Sequence, residues 1–198
     1  MLQSNVAARR RFQLVLIKPS HYDDDGYVIR WWRAMTPSNS LAAVYGIAAD
    51  CAERRVLGPD VDIDIEVIDE TNTRIDIPAL LSRYRRHDDF GCVALIGVQS
   101  NQYPRALDIA RPFRAAGIAV AIGGFHVSGC LSMLDGRAVD LDVCHDMGVA
   151  IFAGEAEGRL ESVIADVAAG RLAPIYDHMK DFPGMEGMPV PVPPEAIH

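Results

Sequence analysis

Three short stretches of this 198-residue chain combine side chains and glycines at spacings suited to holding a ligand: Gln99-Ser100-Asn101, Gly123-Gly124-Phe125-His126 and Gly154-Glu155-Ala156-Glu157. Each follows an apolar run of strand length, at 92–98, 118–122 and 149–153, so each is expected as a loop at the end of a buried strand. Glycine at such a place lets the backbone turn tightly or approach a ligand closely. Ser100 and Asn101 offer a hydroxyl and an amide. His126 offers an imidazole for metal ligation or proton transfer, although a lone His behind a glycine turn more often caps or hydrogen-bonds locally. Glu155 and Glu157 suit the N-terminus of a following helix as well as they suit a ligand. A triad of Ser100, His126 and Glu155 does not follow from spacing alone.

The commoner cofactor motifs are missing. Gly123-Gly124 lacks the later glycine of a dinucleotide fingerprint, and no Gly-x-x-x-x-Gly-Lys-Ser/Thr loop occurs, so NAD and ATP are unsupported. Cys51, Cys92, Cys130 and Cys144 are scattered, with no Cys-x-x-Cys pair and no neighbouring His at zinc-finger spacing. They read as buried or incidental thiols in a reducing compartment. Asp23-Asp24-Asp25-Gly26 opens like a calcium loop but lacks the later ligands and terminal Glu, so it reads as a solvated turn. No metal ligands are assigned.

The elements that must position these loops alternate. Apolar runs at 12–17, 61–68, 92–98, 118–122 and 149–153 read as strands, and helical spacing marks 41–57, 78–87, 106–116 and 160–169. A further short helix is expected near 131–134, and residues 123–129 are expected as loop. At 61–68 apolar Val61, Ile63, Ile65 and Val67 alternate with Asp62, Asp64 and Glu66, the pattern of an edge strand with one wet face. Pro104 suits a first helical turn, and Gly117 and Gly170 suit helix ends. The connection at 21–40, bearing Trp31 and Trp32, is longer than usual and suggests function or partner contact. The expected fold is α/β: a three-layer flavodoxin-like or Rossmann-like domain with a mostly parallel five-stranded sheet and right-handed crossovers, whose ligand site lies at the carboxyl edge. Residues 1–11 form an N-terminal extension, 12–172 the domain, and 173–198 a Pro-rich tail or linker, extended and lying on the domain or leading away from it.

Composition narrows the partners. A hydrophobic content of 49% supports a core on both faces of a sheet. Nineteen basic against 27 acidic residues leave a net charge of −8, which argues against nucleic acid. No apolar run nears the roughly 18 residues a membrane helix needs, and the N-terminus lacks a signal-peptide core, so no membrane partner and a cytoplasmic location are expected.

Together, Leu16-Ile-Lys-Pro19, Ile96-Gly-Val-Gln-Ser-Asn-Gln102, Ile122-Gly-Gly-Phe-His126 and Gly154-Glu-Ala-Glu157 give the chain a resemblance to the N-terminal cobalamin-binding domains of cobalamin-dependent radical S-adenosylmethionine enzymes. In order and spacing they cover most of residues 12–170. The resemblance implies a cobalamin cofactor bordered by Gln99, Ser100, Asn101, Gly123, Gly124, Phe125, His126, Gly154 and Glu155, with Ser100 toward the corrin and the two glycines leaving room for the nucleotide tail. It also implies a radical S-adenosylmethionine catalytic domain, in cis or trans, working in methyl transfer or radical rearrangement. Two features depart from the family. Pro19-Ser-His-Tyr-Asp-Asp-Asp25 does not contain the Asp-x-His-x-x-Gly signature, so cobalt is expected to lack a protein His ligand. No Cys-x-x-x-Cys-x-x-Cys motif occurs, so the iron-sulfur cluster and S-adenosylmethionine belong to a region outside this chain, which is expected not to be catalytic alone. It looks like a domain cut off past its linker or a stand-alone relative. The competing expectation is a flavodoxin-like interaction or regulatory domain that binds no cofactor.

Overall fold

The structure, a computed structural model, describes residues 9–32, 38–85, 90–133, 139–184 and 186–193. Twelve elements alternate along these residues: β1 (Arg10–Lys18), α1 (Asn39–Glu53), β2 (Val61–Asp69), α2 (Ile77–Tyr84), β3 (Phe90–Leu95), α3 (Tyr103–Ala115), β4 (Ala119–Gly123), α4 (Phe125–Met133), α5 (Val139–Met147), β5 (Ala150–Ala153), α6 (Leu160–Ala168) and β6 (Ile175–Asp177). The strands form one sheet in the order β2-β1-β3-β4-β5-β6, every pair parallel. The α/β, flavodoxin-like architecture expected from the sequence is therefore present, with six strands in place of five. β2 is an edge strand, as its alternation requires. The other edge is β6, drawn from the residues that the sequence suggested were tail.

Side-chain alternation splits the core in two. Val15, Ile17, Val93, Leu95, Val120 and Ile122 face one layer, packing with α2, α3, α4 and α5. Phe12, Leu14, Leu16, Cys92 and Ala94 face the other, against α1 and α6. Because both faces are covered, β3 and, apart from Gln13, residues 12–17 of β1 read as apolar runs. At the start of α1 the Ser38 hydroxyl accepts the Leu41 N–H at 3.3 Å, and at the start of α2 the Asp76 carboxylate accepts the Ala79 N–H at 3.0 Å, each satisfying an otherwise orphaned donor.

The helix expected near 131–134 begins six residues earlier. Phe125 and His126 occupy the first turn of α4 rather than a loop, and Gly124 alone turns the chain out of β4. Residue 134 lies outside the described residues, as do 1–8 of the N-terminal extension. The end of the tail returns to the domain: the Val192 N–H donates to Ala42 O at 3.2 Å, and a Cβ on Gly46 would sit 2.5 Å from Val190 O. No helix among the described residues is long and apolar enough to cross a membrane.

Candidate functional site

Parallel pairing puts every strand-to-helix loop at one edge of the sheet, and the order reverses there between β1 and β3, the switch point at which open α/β sheets take ligands. A cavity of about 450 Å³ opens at this edge and runs down between the sheet and the α1/α6 layer. Its floor is apolar and buried, formed by Leu14, Cys92, Ala94, Leu160 and Ile164. α1 lines one side with Ser40, Ala43, Val44 and Ile47. Their i, i+3, i+4, i+7 spacing places them on one helical stripe. Phe125, 68% exposed, and Phe152 stand at the rim, with Met179 from the segment after β6.

Glycines knit the loops of this edge together. Val98 is clamped on both sides: its N–H donates to Gly123 O at 3.0 Å, and its carbonyl accepts the His126 N–H at 3.0 Å. Gly124 lies between, with φ +140°, and a Cβ there would come within 2.2 Å of Val98 N. The same holds for Gly154 (φ +103°), where a Cβ would sit 2.8 Å from the His178 carbonyl. These two glycines are thus required by backbone-to-backbone approach between loops. Room for a ligand comes instead from the small neighbours Ala43, Ala94, Ala121 and Ala156.

The structure brings six of the nine expected residues together at the cavity: Gln99, Gly123, Gly124, Phe125, Gly154 and Glu155. Ser100, Asn101 and His126 lie outside its lining. Helical geometry is the reason for His126. One residue beyond Phe125 on α4, its side chain swings toward α3 and α5, where its ring lies 4.3 Å from that of Tyr103 and its Nδ1 is 3.2 Å from Ser100 Oγ. Sequence reasoning missed Ser40, Ala43, Val44 and Ile47, whose signal was their shared stripe on α1, while Glu157, placed in the expected loop but not among the nine cofactor residues, joins Glu155 at the lining.

Electrostatically the cavity is one-sided. Among the described lining residues the charged groups are Glu155 and Glu157, and there is no Lys, Arg or His. Such a lining offers acceptors for amide or ammonium N–H groups and nothing to neutralise a polyphosphate. Desolvation in the apolar floor pushes the Cys92 thiol up to about 12, so it stays protonated and is no nucleophile at neutral pH. The loop after β1 is anchored apart from the cavity: the fully buried Glu70 carboxylate accepts the Ser20 N–H at 3.1 Å and both Arg105 Nε, at 3.1 Å, and Arg105 Nη2, at 2.6 Å. Tyr22 extends this network by donating to Asp108 at 2.6 Å. Trp31 and Trp32 end the described part of that loop, 65% and 95% exposed. No family model, curated protein or solved structure matches the chain.

Proposed function

We propose that this domain binds a cobalamin at the carboxyl edge of its sheet, as the binding half of a radical S-adenosylmethionine enzyme whose iron-sulfur region lies in another domain or chain. The observation that carries the reading is the cavity: apolar at depth, roomy through alanines, lined by carboxylates and a glutamine, and without cations among the described residues. These features fit the group. A corrin periphery presents carboxamides, whose N–H groups pair with Glu155, Glu157 and Gln99, while the apolar slot against α1 and α6 suits the heterocycle of the nucleotide tail. At about 450 Å³ the cavity takes a part of a cobalamin, and the corrin would cover the rim at Phe125 and Gln99. When bound, the cobalt supplies the capacity to carry a methyl group or to generate a radical. The chain's residues hold the tail, satisfy the amides and cover one face from water.

No His lines the cavity among the described residues. His126 is engaged elsewhere, with Ser100 and Tyr103. The test is retention of colour. Purified protein mixed with hydroxocobalamin should keep the corrin spectrum through gel filtration, and Ala43→Phe, which fills the slot from α1, should lose it while unfolding at an unchanged temperature. Absence of colour in the unaltered protein would remove the reading. The exposed pair Trp31 and Trp32 favours the second reading, a partner-binding domain without cofactor. That reading is left standing if no corrin is retained and a Trp31→Ala/Trp32→Ala variant loses a partner that the unaltered chain holds.

A further inference from the structure

Outside the cavity, on the α3/α4/α5 layer, three groups of metal-ligand type converge. His126 and Cys130 are one turn apart on α4, and Asp140 opens the next helix, α5. His126 Nε2 lies 3.1 Å from Asp140 Oδ2 and 3.9 Å from Cys130 Sγ, and the ligand atoms all fall within 4.8 Å of one another. A tetrahedral ion with bonds of about 2.1 Å to nitrogen and oxygen and about 2.3 Å to sulfur separates its ligands by roughly 3.4 Å for N···O and 3.6 Å for N···S. The two separations from His126 Nε2 are within a few tenths of an ångström of those values, and the third, between Cys130 Sγ and the Asp140 carboxylate, lies within 4.8 Å, so a side-chain adjustment of about an ångström at most closes the set.

We propose that His126, Cys130 and Asp140 form a binding site for a divalent transition-metal ion of the zinc class, with His126 ligating through Nε2. Nitrogen, sulfur and carboxylate oxygen together are the donor set of zinc rather than of calcium or magnesium, which take oxygen. The surroundings already orient the imidazole. Ser100 Oγ stands at Nδ1, so an Nδ1–H donating to it leaves the Nε2 lone pair for the ion, the arrangement that fixes ligating histidines elsewhere. Tyr103 lies against the same ring and hydrogen-bonds through its hydroxyl to the Asp140 carbonyl, tying the start of α5 to the site. Charge balances: a 2+ ion, a thiolate and a carboxylate sum to zero around a neutral imidazole. Binding breaks the Cys130 S–H bond, releases that proton to solvent and forms the metal–sulfur bond, with no change of oxidation state. The His126 side chain is 12% exposed and that of Asp140 46%, so the three ligands found among the described residues can be reached from solvent.

The inference does not depend on cobalamin binding, since none of the three residues lines the cavity, and its test uses no corrin. The full chain, stripped with chelator, is titrated with Co²⁺ alone. One equivalent should bind, giving tetrahedral visible bands and a thiolate-to-metal charge-transfer band in the near ultraviolet, all removed by Zn²⁺. Cys130→Ser should abolish the charge-transfer band, and Asp140→Asn and His126→Gln should each weaken affinity at least about tenfold. Asp140 is half-exposed, so its variant tests the site even if a change at buried Cys130 disturbs folding. A charge-transfer band that persists in Cys130→Ser and disappears in Cys144→Ser would overturn the assignment, as would an unaltered chain that binds no Co²⁺ with thiolate character.

Discussion

At the scale of single residues, what decides a glycine's role is what its missing Cβ would touch. Gly124 and Gly117 both have positive φ, but a Cβ on Gly124 would meet the Val98 backbone at 2.2 Å, whereas nothing lies within 4 Å of one on Gly117. Gly117→Ala should therefore cost only the conformational term, about 1 kcal/mol. Gly124→Ala adds a backbone collision that no side chain can relieve and should cost about 3 kcal/mol or more. Urea unfolding of the two variants side by side measures the difference. The thiols make a second residue-scale case, with pH as the lever. Desolvation raises the Cys51 thiol to about 11 and the Cys92 thiol to about 12, while in the unfolded chain each returns to the ordinary value of about 8.5. A folded-state pKa above the unfolded one means stability that is fully present below about pH 8.5 and is lost as pH rises toward 11 and 12. The urea midpoint should thus decline from pH 8.5 upward. Cys51→Ala should flatten that decline, and an equally steep slope in this variant would show that the thiol is not the titrating group.

At the scale of elements, the Glu70–Arg105 pair shows how one buried charge fixes a loop. Glu70 directly follows β2 and is fully buried. It receives the guanidinium of α3 and the Ser20 N–H after β1, so three elements at the ligand edge share one carboxylate. Arg105→Met leaves that charge unpaired in the interior and should cost about 3–5 kcal/mol, whereas Arg105→Met combined with Glu70→Leu removes both charges and should recover much of the loss. A double variant as unstable as the sum of its singles would show the pair to be uncoupled. The same scale explains what could be read from sequence. β1, β3 and β4 were legible because continuous apolar runs bounded by glycine or proline have few other interpretations, and α1 and α3 because their apolar residues keep a helical period. The start of α4 was not. Val127, Cys130 and Leu131 share one stripe, but Phe125 lies off it, and Gly129 in the middle is a poor helix former, so residues 123–129 looked like loop. That error hid a site, because the spacing of His126 and Cys130 becomes a shared face only once the segment is helical. β6 escaped for another reason: three residues, largely exposed, in a proline-rich segment carry no periodicity to detect.

At the scale of the whole molecule, the segment after α6 acts as part of the domain. β6 covers the free edge of β5, pairing Ile151 with Ile175 and Ala153 with Asp177, so β5 does not present an open row of donors and acceptors. The chain then passes Gly154 through His178, contributes Met179 to the cavity wall, and later reaches α1, where the Val190 carbonyl takes the space left by Gly46. One continuous segment therefore links the sheet edge, the candidate ligand site and the helix that lines the cavity. Two truncations separate these contributions. Ending the chain after residue 183 removes the contact with α1 and the approach of Met188 to Gly158; it should cost about 1 kcal/mol, a fall in Tm of roughly 2–4 °C, and leave corrin retention in place. Ending it after residue 173 removes β6 and Met179 as well; the expected loss is about 3 kcal/mol, or roughly 6–12 °C, together with loss of the retained corrin spectrum, because an open β5 edge and a missing wall act on the same cavity. Thermal unfolding and gel filtration with hydroxocobalamin on both chains give the answer. If the shorter chain unfolds at the same temperature as the longer one, the sixth strand adds nothing to stability, and the five strands between residues 10 and 153 are sufficient for the fold.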